Sequence, residues 1–192
     1  MKIAITGGIG SGKSYVCRLL EKRGIGVYDC DAAAKRLMRG SDTLKSQLRR
    51  LVGDAVYSSG GVLQKRVLAE FILASERNKQ AVNDVVHPAV ADDFIASGMT
   101  WLESAILFES GFDRRVVFDH VVCVTAPRDI RVSRIVARDN ITPDKAVEWI
   151  DAQMPQDEVV SRSGFNIVND GVADLDMQID RLLEALGSRS TL

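Results

Sequence analysis

Cysteine is scarce and poorly placed for cross-linking. Cys17, Cys30 and Cys123 lie far apart and form no CxxC pair, which excludes a zinc ribbon or a disulfide framework and fits a reducing compartment. Net charge is almost absent: 25 Lys and Arg stand against 26 Asp and Glu. No global attraction to nucleic acid or to an anionic membrane is expected, so any anion site must be local. No apolar run reaches 18 residues, and the apolar stretch near Met1 is too short for a secretory leader. A cytoplasmic chain that neither spans nor enters a membrane is therefore expected. Internal repeats and low-complexity tracts are also missing, which sets aside solenoids and disordered arrays.

What remains is an ordinary globular composition of 192 residues, 46% hydrophobic and 27% charged, enough for one core with an inserted subregion. Residues 3–6 predict a short buried strand, 12–23 a helix ended by Gly24, and 25–28 a second strand followed by a helix over 32–38. Residues 41–97 carry no convincing strand. Their apolar positions (Leu44, Leu48 and Leu51, then Val67, Leu68, Phe71 and Ile72) recur at helical spacing. Pro88 restricts its neighbour, so His87-Pro88 reads as a helix break. Strand-like runs return at 101–108 and 120–125, with a weaker one at 165–168. Helices are expected at 129–139 and at 143–153, the latter with Thr142 as N-cap and Pro143 at the first helical position, closed by Pro155. A last helix over 174–186 places Leu175, Ile179, Leu182, Leu183 and Leu186 on one stripe, with Gly187 at its C-terminal end. Strands alternating with helices imply a parallel sheet. Trp101 and Trp149 read as packing groups.

The chemistry begins at Gly7-Gly8-Ile9-Gly10-Ser11-Gly12-Lys13-Ser14, which matches GxxxxGK[ST] between a strand and a helix. That context turns the spacing into a phosphate loop. Its glycines let consecutive backbone N–H groups turn inward around phosphate oxygens, and the helix start adds the positive end of its dipole. Lys13 supplies a cation to the β- and γ-phosphates, and the Ser14 hydroxyl is placed to ligate Mg²⁺.

A guanine-reading switch is not indicated. No NKxD occurs, and no Asp is followed by Gly three positions on. A kinase needs instead a carboxylate near the acceptor hydroxyl, cations for the transferring phosphoryl and a cover against water. Asp29 and Asp31 follow the second predicted strand, at the edge where open α/β sheets place ligands. Position alone leaves Asp31 as either a general base or a helix N-cap. Arg131, Arg134 and Arg138 fall at i, i+3 and i+7, on one helix face able to clamp phosphates or to sit solvated. The charged stretch over 140–162 suits a lid or an ordinary surface hairpin.

TGGIGSGKS at 6–14, Asp29-Cys-Asp31, His87-Pro88, Ile106-Leu-Phe-Glu109, Arg134-Ile-Val-Ala-Arg138-Asp139 and Asn166-Ile-Val-Asn169 occur in one order. Together they resemble the dephospho-coenzyme A kinase family from near residue 3 to near residue 171. The resemblance implies a three-layer α/β P-loop kinase fold with a five-stranded parallel sheet. It implies one domain built of a core (1–40, 99–139 and 163–192), a helical acceptor-binding insertion (41–98) and a lid (140–162). The implied reaction is phosphorylation of the ribose 3′-hydroxyl of dephospho-coenzyme A by MgATP, with no nucleic acid, membrane or protein partner; a nucleoside monophosphate kinase is the alternative. By the same resemblance Asp31 is the general base. Gly8, Ile9, Gly10, Ser11, Gly12, Lys13, Ser14 and Tyr15 hold the ATP phosphates with Arg134. Arg138 reaches the transferring group from the lid side, and Asn169 to Gly171 lie near adenine. Asp31, His87 and Glu109 are assigned to the acceptor side, although Glu109 equally suits a carboxylate capping the next turn. Three positions depart from the family pattern: Tyr15 where Thr usually follows GKS, Ala105 where Pro often stands, and Gly164 where Asp often occurs. Ser14 keeps the metal hydroxyl.

Overall fold

The structure, a computed structural model, describes residues 1–188. It divides into two compact units, Met1–Tyr28 with the chain from Met99 onward, and Asp29–Gly98.

The first unit is built on a five-stranded parallel sheet of order β2-β3-β1-β4-β5: β1 Ile3–Thr6, β2 Val27–Asp29, β3 Trp101–Glu103, β4 His120–Thr125 and β5 Phe165–Val168. All four residues of β1 are buried, as expected of a central strand covered on both faces, which reads as a continuous apolar run rather than an alternating one. Ile3 sits opposite Trp101 on one side and His120 on the other, and Val122 sits opposite Phe165. The neighbours of β1 are thus β3 and β4: the chain passes from β1 to β2 on one side and later crosses from β3 to β4 on the other, which reverses the strand order at β1. The crevice at such a switch point is where open α/β sheets bind ligands.

β3 is shorter than the apolar run over 101–108 suggests. Ser104 N still donates to Ile5 O at 3.0 Å, but the chain then folds into tight turns, with Ser110 N on Ile106 O at 2.9 Å and Gly111 N on Phe108 O at 3.0 Å. Leu107 and Phe108 are buried within those turns, and hydropathy alone does not separate an apolar turn from a buried strand.

Helix α1 (Lys13–Glu21) and the last helix pack on one face of the sheet: Val16, Leu19 and Leu20 meet Ile179, Leu182 and Leu186 around Ile3, Ile5, Val124 and Ile167. Arg23 reinforces that pairing, donating to Asp176 Oδ1 at 2.8 Å and to Asp180 Oδ1 at 2.9–3.0 Å. The last helix spans Leu175–Ser188 and so runs past Gly187. Gly187 keeps a negative φ and so does not form the left-handed cap that its position predicts. Between β4 and β5 lie Arg128–Asp139, Pro143–Asp151 and Gln156–Ser161. The first of these ends at Asn140 in the left-handed region, and Thr142 caps the second, accepting from Lys145 N at 3.3 Å. Pro155 ends the loop after the second helix and opens the third.

Counting in chain order, the second unit holds α2 Cys30–Gly40, α3 Asp42–Val52, α4 Lys65–Ala74 and α5 Glu76–Ser97, with a single 3₁₀ turn at Asp54–Val56 and no strand among its residues from Cys30 onward. Side chains set the helix starts: Asp29 Oδ1 accepts from Ala32 N at 2.9 Å, Ser41 Oγ from Leu44 N at 3.2 Å and Ser75 Oγ from Asn78 N at 3.1 Å. The break expected at His87-Pro88 does not occur, and α5 continues through Pro88 for 22 residues. Pro88 removes one backbone bond, to the carbonyl four residues back, while Val82, Val86, Val90, Ala91 and Phe94 on the buried face hold both halves in line. Tyr57, buried, donates its hydroxyl to Met38 O at 2.7 Å and ties the loop before α4 to α2.

Continuing the count, α6 is the short Phe112–Arg115, α7 is Arg128–Asp139, α8 is Pro143–Asp151, α9 is Gln156–Ser161 and α10 is Leu175–Ser188.

Candidate phosphate-loop site

The loop from Gly7 to Gly12 leaves β1 at the switch point and enters α1 directly. Gly7, Gly10 and Gly12 have φ of 140°, 79° and 90°, the region that side chains other than glycine's avoid. Space is as tight as torsion: a Cβ on Gly12 would collide with Asn169 Nδ2, and one on Gly10 would fall 2.7 Å from Arg131 O. The loop therefore delivers its backbone to the mouth of α1, where first-turn amides have no acceptor four residues back. Lys13 opens the helix, only 7% exposed, with Nζ 3.8 Å from Glu103 Oε1 at the end of β3. Ser14 and Tyr15 are exposed. The Tyr15 ring lies outside the loop under the Arg18 guanidinium, 5.5 Å away, so the larger side chain does not crowd the glycines. Ser11 Oγ is buried and has no hydrogen-bond partner among the described residues.

Four side chains from far along the sequence hold the loop from outside. Ile9 is gripped on both polar backbone atoms: its N donates to Gln153 Oε1 at 2.6 Å, and its O accepts from Arg131 Nε at 2.9 Å. Arg134 Nη1 reaches Gly10 O and Ser11 O, each at 3.3 Å, and its Nη2 donates to Asn169 Oδ1 at 3.1 Å. Asn169 completes the ring by donating Nδ2 to Ser11 O at 2.9 Å, while its own N is fixed on Thr125 O at 2.8 Å. Arg131 is 5% exposed, and burial together with nearby Arg128 pushes its pKa below the usual arginine range. Cys123 lies beneath this arrangement on β4. Burial raises its thiol pKa to about 11 against the opposing charges of Lys13 and Arg131.

The arginine face of α7 thus divides. Arg131 and Arg134 turn to the loop. Arg138, one turn further on, is bound instead to Asp139 through Nε and Nη2 and holds that carboxyl below its ordinary range. Beyond Asn169, Asp170 Oδ1 accepts from Val172 N at 2.9 Å and Ala173 N at 2.8 Å; these bonds lower its pKa and shape the turn at Gly171 (φ 87°). Glu109 is exposed, with Oε1 accepting from Met154 N at 3.1 Å. In the second unit, Asp29 takes the capping role that was open to Asp31. Asp31 stands exposed in the first turn of α2, and His87 is half-buried on α5. The contributions of Gln153 and Glu103 were not foreseen from sequence: Gln153 meets Ile9 across 144 residues and Glu103 meets Lys13 from a different strand, and no local spacing announces either.

A parallel sheet flanked by helices, with a glycine loop at its switch point closing onto a helix that begins with lysine, defines a P-loop kinase. The comparisons narrow the class. The model of the dephospho-CoA kinase family matches residues 1–174. A dephospho-CoA kinase of Bacteroides fragilis is 40% identical over 97% of this chain and 93% of its own. A solved Thermus thermophilus structure superposes with a TM-score of 0.80 at 31% identity, covering 100% of this chain and 98% of the other. The dephospho-CoA kinase of Campylobacter jejuni, at 18% identity, shares the fold with a TM-score of 0.68 over the full length of both chains. The chain belongs to the dephospho-CoA kinase family, transferases whose activity is ATP-dependent phosphorylation of dephospho-CoA in coenzyme A biosynthesis.

Proposed function

We propose that this chain transfers the γ-phosphoryl of ATP to the ribose 3′-hydroxyl of dephospho-CoA, with Asp31 as general base. The observation that carries the donor half is the phosphate loop, whose lysine stands at its mouth and whose backbone is held from outside by Arg131, Arg134, Gln153 and Asn169. Amides from Gly8 to Tyr15 bind the phosphates, and Lys13 exchanges Glu103 for the β- and γ-phosphoryl oxygens. The exposed Ser14 hydroxyl, in the first turn of α1, suits a single protein ligand to Mg²⁺, an ion that completes its shell with phosphates and water. When bound, the metal supplies charge neutralisation at the triphosphate.

The acceptor half rests on Asp31, freed from capping by Asp29. Its carboxylate takes the proton of the acceptor hydroxyl as the phosphoryl arrives. Arg138 leaves Asp139 to meet the transferring group, segment 140–162 closes as the lid, and insertion 41–98, with His87, shapes the acceptor pocket while Glu109 flanks it. The enzyme works in the cytoplasm as a small-molecule kinase with no protein partner. ADP release measured with dephospho-CoA, AMP, GMP and CMP tests the reading, with NMR locating the new phosphate. Transfer to the 3′-position of dephospho-CoA is expected; preferential transfer to a nucleoside monophosphate would overturn it.

A further inference from the structure

A second concave surface lies behind the phosphate loop. Between α7, the end of α8 and the start of α9 there is a cavity of about 400 Å³. Ala126, Ile150 and Pro155 give it apolar walls, while Arg131, Gln153 and Gln156 give it a polar one. The cavity meets the loop where Ile9 turns its own N–H and C=O to Gln153 and Arg131, not in the cup of amides that leads into α1.

The polar wall is made of donors. Gln153 Oε1 accepts from Ile9 N at 2.6 Å, and Gln156 Oε1 accepts from Ala126 N at 3.2 Å. Those bonds fix which way each amide faces, and each Nε2 has no hydrogen-bond partner among the described residues. Arg131 donates Nε to Ile9 O at 2.9 Å, and its Nη1 and Nη2 have no hydrogen-bond partner among the described residues either. The guanidinium is pressed against Gly8, where a Cβ would collide with Nη2. The carboxylates of the cavity do not answer it: Asp151 turns both oxygens to Arg128, at 2.7 and 2.8 Å, and Asp157 is exposed at the start of α9.

An exposed arginine without an ion pair is ordinary, because water solvates it. Arg131 is instead 5% exposed, and a buried charge calls for a counter-charge as well as hydrogen-bond acceptors. Arg134, one turn further along α7, shows the contrast, since both of its Nη atoms are engaged. Water in the cavity supplies acceptors but no counter-charge, whereas an anion supplies both.

We infer that this cavity binds a tetrahedral oxyanion of the phosphate class, at a site separate from the triphosphate site of the loop. Arg131 presents Nη1 and Nη2 as a fork that matches two oxygens of such an anion, and the two glutamine amides donate to the others. A carboxylate has only two oxygens and leaves the glutamine donors unmet. The anion joins the two side chains that grip Ile9, Arg131 and Gln153, and so braces the loop from behind.

Titration calorimetry with inorganic phosphate tests the site, on the full chain with the loop saturated by Mg²⁺ and a non-hydrolysable ATP analogue. Phosphate is expected to bind, to be displaced by sulfate and not to be displaced by acetate. Gln156→Glu is the deciding variant: its retained oxygen still accepts from Ala126 N, while a carboxylate oxygen replaces the Nε2 donor. It should weaken phosphate ~10-fold or more, with kcat and the KM for ATP in phosphate-free buffer within ~2-fold of wild type. Asp157→Asn, which removes a negative charge at the rim, should not weaken phosphate. Phosphate should also raise the Tm of wild-type protein already saturated with the analogue, and not that of Gln156→Glu. No phosphate binding once the loop is filled, or binding that Gln156→Glu leaves within ~2-fold of wild type, overturns the inference. No acceptor enters these measurements, so that failure leaves the kinase reading standing. A chain inactive on dephospho-CoA that still binds phosphate in this way overturns only the kinase reading.

Discussion

Asn169 offers the sharpest test of how the phosphate loop is held. Its side chain is buried and makes two bonds, Nδ2 to Ser11 O at 2.9 Å and Oδ1 from Arg134 at 3.1 Å. Replacement by leucine keeps the volume and deletes both. A neutral bond contributes about 0.5–1.5 kcal/mol and one to a charged group about 1.5–3 kcal/mol. The gross loss is therefore about 2–4.5 kcal/mol, offset in part because Arg134 still reaches Ser11 O and because leucine buries apolar surface. A net ~1.5–3 kcal/mol falling on the loop's phosphate-binding shape weakens ATP ~10–150-fold. Asn169→Asp should also weaken it: the carboxylate keeps Arg134 but faces the Ser11 carbonyl with no proton to donate. Titration calorimetry with ATP and with inorganic triphosphate separates bracing of the loop from contact with adenine, since bracing weakens both ligands equally. Binding of inorganic triphosphate by Asn169→Leu within ~2-fold of wild type would refute the reasoning.

Asp31→Asn should lower kcat ~10²–10⁴-fold with ATP affinity intact, and near-normal single turnover would remove Asp31 from the base role. Burial pushes the Cys123 thiol up to about 11 from its ordinary 9.0. The folded state therefore favours the protonated thiol, and its stability should fall as pH rises from 9 towards 11, because only the unfolded chain ionises there. Urea midpoints measured across that window should drop for the wild type and drop less for Cys123→Ala; identical slopes would count against it. Thiol reagents at pH 8 should label Cys123 only at the rate of unfolding.

How much of this was legible in the sequence depended on how local the signal was. The loop could be read because glycine spacing encodes both torsion and clearance. β4 and β5 were found at their observed bounds because buried parallel strands are short apolar runs between turns. The same signal overextended β3, where Ala105 to Phe108 are apolar but lie in turns. Pro88 and Gly187 misled for the opposite reason: each is a local breaker overruled by its surroundings, Pro88 by the buried face of α5 and Gly187 by a helix that simply continues. Capping was legible as a residue type but not as a position, and Asp29 rather than Asp31 took it. Gln153 on Ile9 left no trace, because a side chain meeting a backbone amide across 144 residues follows from the folded topology alone.

The division of the chain also orders its assembly. The helical unit is one uninterrupted stretch, Asp29–Gly98, whose partners are all present once that stretch has left the ribosome. The sheet is not: β1 emerges first, yet its neighbours β3 and β4 and the helix that seals its hydrophobic face follow only after the whole insert. During synthesis the insert can therefore reach its native packing while the nucleotide-binding half waits for its closing helix, and in that interval the apolar faces of β1 and α1 stay uncovered.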